Sequence, residues 1–301
     1  MPSPNSSSNS PKPPLIKRLA IIGVGLIGGS LAKALRDSNA VEEVIGCGRD
    51  ADNLQRAVDL DVIDHFELHP AQAVKHADMV VLAVPVGVMP DILREIKDHT
   101  PPDCVITDVG STKRSVVNSV KSVFGELIPN FVPAHPIAGT EKSGVEAAYP
   151  GLFYNRRVIL TPSKTTLASA VQQVQQMWEI TGANVWQIDV DEHDHLLAIS
   201  SHLPHVLAFS LVDTLAAMPD HDDIFRFSAG GFRDFTRIAS SDPKMWHDIC
   251  LNNRSELLAA LQSYMRGLEK IVDALQKGDG DDLLRRFSHA KAARDEHLER
   301  K

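Results

Sequence analysis

The chain has 301 residues, of which 43% are hydrophobic and 23% charged, enough apolar side chain to fill two moderate cores, so two domains are expected. A formal net charge of −8 without any lysine or arginine run argues against a nucleic-acid or anionic-membrane partner and confines an anionic ligand to a local cationic pocket. Cys47, Cys104 and Cys250 are far apart, show no CxxC spacing, and read as reduced core residues of a cytoplasmic protein.

Residues 1–16 are rich in Ser, Pro and Asn and lack an apolar core, so they are expected to be a disordered leader rather than a signal peptide. No uninterrupted apolar run approaches membrane-spanning length. From 17 to 189, short β-branched runs alternate with amphipathic stretches, the pattern of a parallel sheet covered on both faces. Strands are predicted at Arg18–Ile22, Glu43–Cys47, Met79–Val84, Cys104–Thr107, Asn130–Val132, Arg157–Leu160 and Asn184–Ile188, with helices beginning near Leu26, Ala51, Gly87 and Ser111 and another over Val171–Ile180. This is the α/β, Rossmann-type doubly wound order of a dinucleotide-binding domain. From 190 to 301 the pattern becomes all-α, with apolar residues at three and four spacing over Leu196–Met218, Met245–Lys277 and Asp281–Leu298. A helical half this apolar is expected to hide its surplus face against a second copy, as a substrate-binding and dimerisation domain in a homodimer.

Directly after the first predicted strand stands Gly23-Val24-Gly25-Leu26-Ile27-Gly28. Gly23 permits the tight turn, Gly25 lets backbone N–H groups approach a pyrophosphate, and Gly28 lets helix and strand pack closely. At the tip of the second strand, Gly48 and Arg49 leave room and a positive charge for a ribose 2′-phosphate, which favours NADP over NAD. Asp50 has two readings there, a ribose ligand that would suit NAD or a cap for the following helix.

Ser111 follows the strand ending at Thr107, at the carboxyl edge where doubly wound folds keep their ligands, and reads both as an N-cap and as a hydroxyl facing nicotinamide or substrate. His135 leaves the next strand in a loop over the same edge, where an imidazole beside a nicotinamide suits a proton acceptor. His193, His195, His202 and His205 have no HExxH spacing or cysteine partner, so no metal site is expected; His193 and Asp194 open the first long helix of the second domain, with Asp194 able to orient a neighbouring pocket group.

Taken together, Gly25 to Ser30, Asp108 to Ser111, His135 to Gly144, Ser201 to His205 and Gly230 to Arg237 resemble the prephenate/arogenate (cyclohexadienyl) dehydrogenase, or TyrA, family, in the same order. The resemblance implies oxidation of the C4 alcohol of a cyclohexadienyl acid with loss of the ring carboxylate as carbon dioxide, giving 4-hydroxyphenylpyruvate or tyrosine. It also implies roles: His135 as catalytic base, Ser111 as active-site serine, His205 and Arg237 on the small-molecule substrate, and Trp246 as a tryptophan lent by the dimer partner. Glu141, in the same block, is a candidate for attracting a substrate amine or for serving its loop. With a short leader and helices running on to residue 298, no added regulatory domain is expected, and any feedback by tyrosine is expected to act at the active site.

Two rivals share part of this pattern. A β-hydroxyacid dehydrogenase or imine reductase would match residues 17–28 but lean on a lysine from the helical half, and no lysine stands between 201 and 237. A non-catalytic dinucleotide-sensing module would need the glycine turn without His135, His205 and Arg237 together.

Overall fold

In the computed structural model, which describes residues 13–140 and 142–298, the alternating half builds a six-stranded parallel sheet. Its strands are β1 (Ile16–Ile22), β2 (Val41–Cys47), β3 (His65–Glu67), β4 (Met79–Leu82), β5 (Val105–Asp108) and β6 (Phe131–Val132), in the order β3-β2-β1-β4-β5-β6. Helices α1 (Leu26–Asp37), α2 (Ala51–Asp59), α3 (Pro70–Ala73), α4 (Met89–Ile96) and α5 (Lys113–Phe124) connect them. Every residue of β4 and β5 is buried, as continuous apolar strands between two helical layers must be. One layer packs Leu31 and Leu35 of α1 with Leu54 of α2; the other packs Leu93 and Ile96 of α4 with Val116 and Val120 of α5. Burial pushes the thiols of Cys47 and Cys104 up to about 12, so both are unreactive.

The strand order confirms the doubly wound expectation, with local corrections. Ile16, assigned above to the leader, is buried and pairs with Val41 as the first residue of β1; residues 1–12 lie outside the described part. His135 is not in a loop but at the centre of β7 (Ala134–Pro136), which pairs antiparallel with β8 (Arg157–Leu160). β8 in turn pairs in parallel with β9 (Asn184–Gln187), making a separate three-stranded sheet. The chain changes sheets at Pro133, which has no N–H to donate and whose carbonyl is taken by the Thr161 amide. Helix α6 (Ala168–Ile180) buries Val174, Met177 and Trp178 in the same core as α1.

The second half is helical: α7 (Val190–Leu197), a π-helical turn (Ala198–His202), α8 (Leu203–Ala216), α9 (His221–Arg226), α10 (Gly230–Thr236), a 3-10 turn (Arg237–Ser240), α11 (Pro243–Asn252), α12 (Arg254–Lys277) and α13 (Gly280–Leu298). The helix expected over 245–277 is broken at Asn253, whose side chain is recruited into the site described below. The helical stretch Val190–Ala216 is long enough to cross a membrane and contains an 18-residue window of mean hydropathy 1.4, although polar residues interrupt its apolar run. It also carries buried His193, Asp194 and His202, polar groups tied into the protein interior. On α12, Leu258, Met265, Leu268, Val272 and Leu275 are exposed at seven, three, four and three spacing, an apolar stripe along one helix face.

A buried ion pair closes the carboxyl edge of the sheet. The Lys113 ammonium donates to Asp108 and, at 2.6 Å, to the Ala134 carbonyl; Asp108 accepts from the Gly110 amide at 2.7 Å and the Ala134 amide at 3.2 Å. Both side chains are fully buried, and burial pulls the Lys113 pKa down against the opposing pull of Asp108. This pair welds the end of β5 to the start of β7, one residue before His135. Lys113→Met, which leaves Asp108 buried without its cation, should destabilise the fold by about 3–5 kcal/mol in denaturant titrations; a loss below about 1 kcal/mol would show that the pair is not holding the edge together.

Candidate active site

The turn after β1 has the geometry of an anion seat. Gly23 has φ +103°, and a Cβ there would lie 2.3 Å from the Ala83 carbonyl oxygen, so no other residue fits. Gly28 is held against the Gly23 carbonyl, where a Cβ would come to 2.4 Å. Gly25 differs: nothing stands within 4 Å of its would-be Cβ. It is the N-cap of α1, no side chain caps that end, and Leu26 and Ile27 begin a first turn without acidic residues. Unsatisfied N–H groups and the positive end of the helix therefore face open space, which fits a dinucleotide pyrophosphate.

At the tip of β2 the two readings of Asp50 separate. Its carboxylate accepts from the Asn53 amide at 3.1 Å and caps α2. Arg49 beside it is exposed and forms no ion pair with any described residue.

Ser111 is not the N-cap expected above. Thr112 takes that position, with its hydroxyl on Ser115 at 2.7 Å, and the free amides of the first turn are claimed from elsewhere: Lys113 N–H donates to Asp194 Oδ1 at 2.8 Å and Arg114 N–H to Asp194 Oδ2 at 3.0 Å. A carboxylate from α7 thus caps α5 across the domain boundary. The half-buried Ser111 hydroxyl is left with no hydrogen-bond partner among the described residues, available to a ligand.

Asp194 also accepts from His193 Nδ1 at 2.8 Å, and His193 Nε2 lies 2.9 Å from His135 Nδ1. Burial raises the Asp194 pKa, but hydrogen bonds from His193 and the two amides outweigh it and hold the carboxyl below its ordinary range. Burial first, then the neighbouring His193, Lys113 and His202, keeps the His135 imidazole well below the ordinary histidine value, so it is neutral at neutral pH. His202, driven down to about 4 chiefly by burial, is neutral too and accepts at Nδ1 from Asn253 Nδ2 at 3.2 Å. The same Asn253 amide donates to the Asp194 carbonyl at 2.8 Å, which explains the helix break there.

From His202 the π-helical turn leads to His205, which donates from Nδ1 to the Ser201 carbonyl at 2.9 Å. The His205 pKa is lowered by burial, with a further push from the nearby Arg237 guanidinium. Trp246 stacks on His205 with ring centroids 3.8 Å apart and an interplanar angle of 19°. Within the chain, α11 brings Trp246 against His205. His135, His205, Arg237 and Trp246 belong to one connected cluster; Glu141 lies outside the described residues. The sequence reading gave no role to Lys113, His202 or Asn253, and linked neither His193 to His135 nor Asp194 to α5. Only the His193-Asp194 pair at a helix start hinted at it.

A glycine turn fit for a pyrophosphate, in the same chain as a neutral buried imidazole and a cluster of further histidines near Arg237, suits a dinucleotide-dependent dehydrogenase. Residues 31–187 match the family described as prephenate dehydrogenase, nucleotide-binding domain, and residues 189–289 match prephenate dehydrogenase, dimerization domain. The cyclohexadienyl dehydrogenase of Zymomonas mobilis is 37% identical over 93% of this chain and 96% of its own length, and the prephenate dehydrogenase of Bacillus subtilis is 38% identical over 92% and 75%. The crystal structure of prephenate dehydrogenase from A. aeolicus in complex with hydroxyphenyl propionate and NAD+ superimposes with a TM-score of 0.87 at 36% identity, covering 93% of this chain and 98% of that one. The chain belongs to the prephenate dehydrogenase family, and it is an NAD(P)-dependent oxidoreductase of tyrosine biosynthesis.

Because the Gly25 site is open, Gly25→Ala should leave the melting temperature unchanged while weakening dinucleotide binding at least tenfold by fluorescence titration, roughly the value of one lost backbone–phosphate contact. Unchanged affinity would place the pyrophosphate elsewhere.

Proposed function

We propose that this chain oxidises prephenate, arogenate or both at the C4 alcohol with loss of the ring carboxylate as carbon dioxide, working in the cytoplasm as a homodimer that favours NADP over NAD. The observation that carries the reading is the neutral, buried His135, whose Nδ1 is engaged by His193 while Nε2 has no hydrogen-bond partner among the described residues.

When bound, the nicotinamide supplies the hydride acceptor. His135 takes the alcohol proton as the C4 carbonyl character develops, a role for which an unprotonated imidazole is suited and a charged lysine is not. The one buried lysine among the described residues, Lys113, is fully engaged by Asp108 and Ala134, which counts against the lysine-dependent hydroxyacid dehydrogenase alternative. Ser111 supports the hydroxyl or the nicotinamide. His205 and Arg237 receive the substrate acid, with Trp246 buttressing His205. Aromatisation makes loss of carbon dioxide downhill, so a cation clamped on the departing carboxylate would stabilise the ground state; Arg237 serves to orient.

Gly23, Gly25 and Gly28, with the first turn at Leu26 and Ile27, hold the pyrophosphate. Two local facts support NADP: Asp50 is spent on the α2 cap, and the exposed Arg49 stands free for a 2′-phosphate. The homodimer is supported by the α12 stripe and by the match to a dimerization domain.

Assaying prephenate and arogenate, each with NADP and NAD, by following nicotinamide reduction should show turnover with at least one acid and faster turnover with NADP; silence in all four pairings would refute the reading. His135→Asn should cut kcat about 10²- to 10⁴-fold with cofactor affinity kept. The working form of His135 is neutral and its pKa is depressed, so kcat/KM should stay flat as pH falls through 6.5 and decline only on the acid side of it. A decline beginning above 6.5 would mean that another group is the base.

A further inference from the structure

We infer that His193 and Asp194 are a positioning pair that fixes the tautomer of His135, keeping the proton on Nδ1 and the lone pair on Nε2. The inference rests on His135 being the base. It follows from counting protons along three side chains. Asp194 is ionised and acceptor-only, and its Oδ1 lies 2.8 Å from His193 Nδ1, so that nitrogen must carry a hydrogen. Burial holds the His193 pKa below its ordinary value, so the ring is neutral and its Nε2 is a bare lone pair. His135 Nδ1 lies 2.9 Å from that lone pair and must in turn donate to it. His135 is neutral as well, so its single proton is used, and Nε2 is left as the proton acceptor.

The opposite arrangement would place a hydrogen on Nε2 of each ring and aim a bare His193 Nδ1 at a carboxylate, two lone pairs facing each other in a dry interior. The carboxylate therefore determines which His135 nitrogen is basic from two side chains away. The rings pack edge to face, with centroids 5.1 Å apart and an interplanar angle of 63°, so the contact also restrains the His135 rotamer. Asp194 is held rigidly for this role: the two first-turn amides of α5 fix its carboxylate and Asn253 fixes its carbonyl. Other charged and titratable groups bearing on His135 are Lys113, already paired with Asp108, and His202, neutral above about 4. Neither offers His135 a hydrogen bond that could set its tautomer.

The direct test is ¹⁵N NMR of histidine-labelled enzyme near neutral pH, with the His135 signals assigned by their loss in His135→Asn. The expected spectrum has His135 Nδ1 protonated and Nε2 unprotonated, with the same pattern for His193; a protonated Nε2 on His135 overturns the inference. Because this uses the unmodified protein and no turnover, it can fail while His135→Asn is still inactive, which separates it from failure of the base assignment. As a second readout, His193→Gln retains a carbonyl acceptor near the position of the imidazole Nε2, whereas His193→Leu retains none. His193→Leu should lose about 10²-fold or more in kcat at unchanged cofactor affinity, and His193→Gln should recover most of it. Equal loss in both folded variants, or no loss in His193→Leu, overturns the inference.

Discussion

The carboxylate of Asp194 is the point on which the two domains and the chemistry both depend. It arises in α7, at the start of the helical domain, yet serves as the missing cap of α5 in the nucleotide-binding domain. Its third bond, from His193, links it to His135. One buried charge is stabilised by three donors, and without it those donors would be left unsatisfied in a dry interior. Arg114 reinforces the junction from the outside by pairing with Asp191 at 2.7 Å and Glu256 at 3.4 Å, residues of α7 and α12. The helical domain is thus seated on the very turn that carries Ser111.

Around this charge the site is built of neutral imidazoles. His135, His193 and His202 are all held neutral by burial, and the buried ammonium of Lys113 is matched by Asp108. In a protein with a formal charge of −8, the Arg237 guanidinium near His205 therefore stands in a neighbourhood of uncharged rings. Separating the two duties matters physically: a base must give up its charge, and an acid-binding residue must keep it.

The order of strands, the glycine turn and the change to helix at 190 were legible because they are local, carried by periodicity and by residues that turns demand. His135 and Arg237 were singled out through the family resemblance, and the fold brings both to one cluster of histidines. What escaped was non-local. Ser111 looked like a cap because serine usually is one, but the cap is Asp194, 81 residues from Lys113 in the chain. His135 looked like a loop residue because Pro136 and Gly139 follow it, whereas β8 supplies a strand partner two dozen residues on. Asn253 sits in a smooth helical pattern and breaks it only because Asp194 and His202 claim its amide. The stacking of Trp246 on His205 joins residues 41 apart in the chain and had no local signal.

Amide hydrogen exchange at Lys113 and Arg114 tests the dependence on Asp194 most directly, since first-turn helix amides ordinarily lack a protein acceptor. The account predicts slow exchange at both amides in the unmodified protein, and fast exchange there in Asp194→Ala with β1 and β4 still protected. Fast exchange in the unmodified protein, or protection unaffected by removing the carboxylate, would contradict it.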